Sequence, residues 1–195
     1  VPDIHQSKNI SDVRGKNIGV RLIKSHASFS TNYRYIIHLV RDPLDVMVSY
    51  KNYLLDHWNN DIPFTKLIKS WRGIPRWVRH TESWIKSEIN QKYIPVHFKY
   101  LISQPDKILN FIYECYGVKV KKEKIEDAIY HSSIQFMEED EKFWNYGNRK
   151  IYEKARFVGK KSFTKLDVSD EDMHYIHEKT KDINKECMKM CESYL

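Results

Sequence analysis

A chain of 195 residues is long enough to bury the core of one domain, and no repeat, low-complexity tract or Gly/Pro/Ser linker divides it, so a single domain over residues 1–195 is expected. Lys and Arg number 33 against 26 Asp and Glu, a formal net charge of +7 that favours anionic partners (nucleotides, nucleic acid or acidic surfaces) without choosing among them. Mean hydropathy is -0.65, no run is long and apolar enough for a transmembrane helix, and three cysteines are too few and too odd for a disulfide framework.

The cysteine usage suits a reducing, cytoplasmic compartment, and no signal peptide begins at Val1. The chain does not begin with Met, so a lumenal domain with an anchor outside this sequence stays open. Cys187 and Cys191 share one helix face, and no His/Cys cluster completes a zinc set, so both read as buried thiols and no metal is expected.

Val1 to Lys16 is polar and reads as loop or short helix; its Asn9-Ile10-Ser11 is a glycosylation sequon of a kind common by chance. Gly19 to Ile23 is apolar enough for a short strand, and it ends in Lys24-Ser25-His26. Tyr35 to Val40 is an apolar, β-branched run, the pattern of a strand buried on both faces of a parallel sheet. It stops at Arg41-Asp42-Pro43, where Asp42 is a good N-cap and Pro43 suits the first helical position. Val46, Tyr50, Tyr53 and Leu54 then recur at helical spacing. Arg41 thus sits at the carboxyl end of a strand, with Ser49 two turns into the helix, a seat suited to phosphate; an ordinary corner with a surface Arg is about equally compatible with the spacing.

Asp56 to Asp61 is a polar break, Phe64 to Trp71 a short helix ended by Gly73, and a further helix restarts at Pro75. On it Trp77, Thr81, Trp84 and Glu88 share one face, and an aromatic stripe of this kind is usually core. Ile94 to Phe98 reads as the next parallel strand, and Pro105 opens a helix that ends near Gly117. Lys119 to Lys124 is a solvated basic run, followed by a short helix through Ile125 and Ile129. A cap is expected at Ser132 or Ser133, then a charged, irregular stretch from Glu138 to Glu153 with Phe143, Trp144 and Tyr146 as pocket lids. Ser169 caps a last helix with an inner stripe of Met173, Ile176, Thr180, Ile183, Cys187 and Met190.

The segment RDPLDVMVSY, residues 41–50, resembles the part of the sulfotransferase family that grips the 3′-phosphate of the donor PAPS (3′-phosphoadenosine 5′-phosphosulfate). In that family an Arg and a Ser at this separation hold the phosphate, which implies Arg41 and Ser49. Lys24-Ser25-His26 resembles the family's Lys-Thr-His triplet, implying His26 as catalytic base and Lys24 facing the transferring group. Trp77, His80 and Trp84 match its Trp-x-x-His-x-x-x-Trp helix, which serves packing near the acceptor pocket. His131 to Met137 resembles a segment lying along the donor nucleotide, implying Ser132, Ile134 and Met137. Phe98 stands where the family has a Tyr that helps bind adenosine, with Tyr100 as a substitute for the lost hydroxyl. Arg156 to Thr164 loosely resembles a second clamp on the 3′-phosphate, implying Arg156 and, more weakly, Lys160, for which a solvated basic loop is the equal alternative.

The resemblance implies an α/β domain, a parallel sheet flanked by helices in the P-loop-NTPase-like sulfotransferase fold. The family's phosphosulfate-binding turn and the strand before it have no counterpart among these residues, so the chain is expected to be a later part of a longer domain and a weak catalyst alone. The implied activity moves a sulfuryl group from PAPS to a hydroxyl or amine acceptor, small molecule or carbohydrate, leaving PAP and needing no metal. Homo-oligomers are compatible with this, and neither nucleic acid nor a membrane is an expected partner. The alternative is a catalytically incomplete nucleotide-binding or basic nucleic-acid-binding module, although no nucleic-acid motif appears. A P-loop kinase would need a Walker loop and magnesium ligands, which are not visible.

Overall fold

A computed structural model of the chain describes residues 25–29, 35–86, 92–145 and 163–193. The expected strand at 19–23, and Lys24, Tyr146, Arg156 and Lys160, lie outside the described residues. In chain order the elements are β1 (Tyr35–Val40), α1 (Pro43–Trp58), α2 (Phe64–Lys69), α3 (Ile74–Ile85), β2 (Lys92–His97), α4 (Phe98–Ser103), α5 (Pro105–Cys115), α6 (Lys122–His131), α7 (Ile134–Asn145) and α8 (Asp170–Glu192), with a 3-10 turn at Lys165–Asp167.

Among the described residues the sheet has two strands, β1 and β2, paired parallel from Tyr35↔Lys92 to Val40↔His97. Parallel neighbours need a crossover, and α1 to α3 supply it. Side chains alternate across a strand, so Ile36, His38 and Val40 share one face and Ile37 and Leu39 the other. The first face is buried: Val40 packs with Cys187 and Cys191 of α8 and with Trp77 and Ile85 of α3. On the second face Ile94 and Val96 of β2 are buried against Ile108 of α5. Leu39, beside them on β1, is 59% exposed. Burial of β1 on both faces was the sequence expectation; instead α5 covers only the β2 half of that face.

The Asp42 carboxylate accepts from the backbone N–H of Leu44 (2.9 Å) and of Asp45 (3.3 Å), and Pro43 has no N–H to satisfy. Such a cap stabilises a helix by about 1 kcal/mol. α1 continues past the expected break at Asp56 and ends at Asn59, which adopts the left-handed conformation at φ 49°. Met47 and Leu54 of α1 meet Phe64, Leu67 and Ile68 of α2, Ile74 of α3, and Val168 and Ile176 beside and on α8, forming the main core. Each such side chain contributes roughly 1.5–3 kcal/mol by burial.

The turn between α2 and α3 depends on Gly73: a Cβ there would lie 2.2 Å from the Leu67 carbonyl oxygen and 2.6 Å from that of Ile68. Residues 138–145, expected to be irregular, are helical in α7. A run of Glu and Asp gives little apolar period to read, yet Glu is a good helix former once Ser133 caps the start. α8 buries Ile176, Thr180, Ile183, Cys187 and Cys191, with Ser169 as its cap. Met173 is exposed rather than part of that stripe, and Cys191, one turn after Cys187, takes the place expected of Met190 as the last buried position.

Candidate functional site

The carboxyl ends of β1 and β2 lie side by side because Val40 and His97 are in register. The next residue of each strand is therefore adjacent too: the Arg41 guanidinium lies over the Phe98 ring, 4.8 Å from its centroid. Two of the sequence-predicted residues are thus brought together. Arg41 is half-buried, and its Nε is sealed from solvent with no hydrogen-bond partner among the described residues. A buried donor left unpaired costs about 1–3 kcal/mol, and the half-buried side chain leaves the rest of its charge within reach of an anion.

Ser49 is exposed on α1, two turns beyond Arg41. The helix start itself is a poorer anion seat than the spacing implies. Its Leu44 and Asp45 amides are already taken by the Asp42 carboxylate, so any anion here is held by side chains and not by free N–H groups. His97, at the end of β2, is buried and accepts from the Lys99 N–H at Nδ1 (3.2 Å). Burial holds it below the ordinary histidine range, against the opposite pull of Asp42. The Tyr100 hydroxyl donates to Glu192 of α8 (2.9 Å).

His26 is exposed, on a short segment that runs along α3. Beneath it a buried aromatic group joins α3 to the sheet. His38 Nδ1 and the Tyr93 hydroxyl are hydrogen-bonded at 2.8 Å, and the Trp84 and Tyr93 rings stack with centroids 6.4 Å apart. Burial, helped by the neighbouring His80, pushes His38 down to about 3.

Ser132, Ile134 and Met137 sit at the corner of α6 and α7. The Ser132 hydroxyl donates to the Ala128 carbonyl (2.7 Å), and it is Ser133 that caps α7, accepting from the Phe136 N–H (3.2 Å). Ile134 is 65% exposed, an apolar side chain open to a partner. α7 packs on α6 and α6 on α5, so this corner reaches the sheet through α5. Phe163 is held to α1. The Asn52 side chain accepts from the Phe163 N–H (2.9 Å) and donates to its carbonyl (2.8 Å), as a strand neighbour would. Lys165 pairs with Asp45 of α1 nearby at 2.7 Å.

Sequence reasoning passed over Asn52, His38 and His97. A buried Asn on a helix has no local signature, because its partner is 111 residues away. The two histidines are visible only once strand register is known. Among the described residues no group of three or more His, Cys, Asp or Glu gathers as a metal-ligand set, and no helix is long and apolar enough to cross a membrane.

Comparison with known proteins gives two matches. The mouse (Mus musculus) sulfotransferase 1B1 is 25% identical over 133 residues, covering 62% of this chain and 44% of its own length. The chain thus spans less than half of that relative. The family described as the sulfotransferase domain matches residues 6–192, nearly the whole sequence, and the chain belongs to that family.

Proposed function

We propose that this chain carries the nucleotide-gripping part of a PAPS-dependent sulfotransferase, which moves a sulfuryl group to a hydroxyl or amine of a small-molecule or carbohydrate acceptor. The observation that carries the reading is Arg41: a half-buried guanidinium over an aromatic ring, with one N–H sealed and unpartnered among the described residues, at the carboxyl end of a parallel strand. A phosphate pairs with the accessible part of this guanidinium, and Arg is the side chain best shaped to grip one. In this reading Ser49 adds a hydroxyl to the same 3′-phosphate, and Phe98 presents its exposed face to the adenosine side. Ser132, Ile134 and Met137 run along the nucleotide. Arg156 and Lys160 add positive charge to the same phosphate.

In the transfer, the acceptor oxygen forms a bond to sulfur as the bond from sulfur to the donor's phosphate oxygen breaks, and PAP leaves. The acceptor proton passes to His26, which stays accessible to an acceptor. Lys24 lies two residues earlier and balances charge on the transferring oxygens. The test is transfer of radiolabelled sulfuryl from PAPS to a panel of hydroxyl and amine acceptors, by the protein that carries this domain. Label should appear in one acceptor class and be lost in His26→Asn while PAP binding persists. PAP binding without transfer to any acceptor would sink the transferase reading and leave a nucleotide-binding module.

A further inference from the structure

The segment that carries His26 is tied to α3 just after that residue, and a local bond spans the residue itself. The Phe29 N–H donates to Ser83 Oγ (3.0 Å), and Trp84 Nε1 donates to the Ala27 carbonyl (3.3 Å). The Phe29 ring meets the Trp84 ring edge-on, with centroids 5.5 Å apart. On the other side of His26, Ser25 Oγ accepts from the Ala27 N–H (3.0 Å). The Ser83 hydroxyl has no freedom left: it accepts from Phe29 and donates to the His80 carbonyl at 2.7 Å. Trp84 projects from α3 onto the sheet, in contact with the His38, His80 and Tyr93 rings. Loop residues held to a rigid helix in this way keep a functional group within the narrow geometry that transfer needs.

We propose that α3 is the element that positions His26: Ser83 and Trp84 are positioning residues that fix the backbone around that imidazole, and His80 is the neighbouring imidazole against which it is set. This rests on the reading of His26 as the base. The aromatic stripe of α3 then has a second task beyond packing, and His80 is part of the site without touching substrate. The groups that face His80 are Arg76 on its own helix, His26 on the tethered segment and His38 on β1, behind which stands Tyr93 of β2. Burial, with the charges of Arg76 and His26, holds His80 below its usual range.

The titration of His80, followed by its ring-proton NMR signals, reports whether His26 sits beside it. Replacing His26 by Gln should raise the His80 midpoint, because one source of repulsion is gone. Ser83→Ala frees the Phe29 N–H and should raise the same midpoint, with amide exchange at Phe29 faster on the order of tenfold. Ser83→Thr, which keeps the hydroxyl, should restore both. The double variant His26→Gln/Ser83→Ala should move the midpoint no further than His26→Gln alone. A merely structural Ser83 would lower stability and leave the His80 midpoint where it was. An unmoved midpoint in either single variant, or unchanged Phe29 exchange in Ser83→Ala, overturns the proposal. Because these readouts involve no turnover, they stand apart from the base assignment, which fails only if His26→Asn still transfers sulfuryl.

Discussion

His38 shows how much a single position can set. An imidazole buried to 8% exposure beside Trp84 and hydrogen-bonded to Tyr93 is neutral in the folded chain, pushed from the usual 6.5 down to about 3. The unfolded chain takes up that proton far more easily. A depressed folded value means that the contribution of His38 is fully present above about pH 6.5 and is lost as pH falls toward about 3. His80 and His97, also depressed by burial, push in the same direction. Between about pH 6 and about pH 4 the slope from one such group approaches about 1.4 kcal/mol per pH unit. Urea midpoints at about pH 7.5 and about pH 4.5 should therefore separate widely for the native chain and less for His38→Gln. An equal separation in both proteins would assign the acid sensitivity elsewhere.

At the scale of elements, the α2–α3 turn is a tight joint. Gly73 faces the Leu67 and Ile68 carbonyls at distances no Cβ tolerates. Gly73→Ala must push α2 and α3 apart where Ile68 and Ile74 are fully buried, and should cost about 1–3 kcal/mol in a denaturant melt. A change below about 0.5 kcal/mol would mean that the joint gives.

The elements most legible in the sequence were those with local punctuation. Asp42-Pro43, Ser169 and Pro105 each mark a helix start, and Gly117, at φ 68°, marks the end of α5. α7 was not legible as a whole, because the acidic run from Glu138 to Glu141 hides the helical period. Leu39 was misread because a strand cannot announce that its neighbour leaves one face uncovered. Of the candidate site, Arg41 and Phe98 come together by strand register, which sequence spacing does not contain. The tethering of His26 by Ser83 and Trp84 was also unreadable, since it joins residues 54 and 57 positions apart.

For the whole molecule, two parallel strands carry Arg41 and Phe98 at their carboxyl ends, and the helices around them bring in what the ends lack. α1 presents Ser49 and holds Phe163 through Asn52, α3 holds the His26 segment, and α5 to α7 support the corner at Ile134. The chain belongs to the sulfotransferase domain family, and the reading proposed for it is that Arg41 holds the 3′-phosphate of the donor. The most direct measurement is calorimetric titration of PAP (adenosine 3′,5′-bisphosphate) into the chain, with AMP as the control and both repeated for Arg41→Ala. The account predicts that PAP binds at least about tenfold more tightly than AMP and that Arg41→Ala removes most of that preference, the worth of one charge-assisted contact of roughly 1.5–3 kcal/mol. Equal affinity for PAP and AMP, or a preference that survives Arg41→Ala, would contradict it.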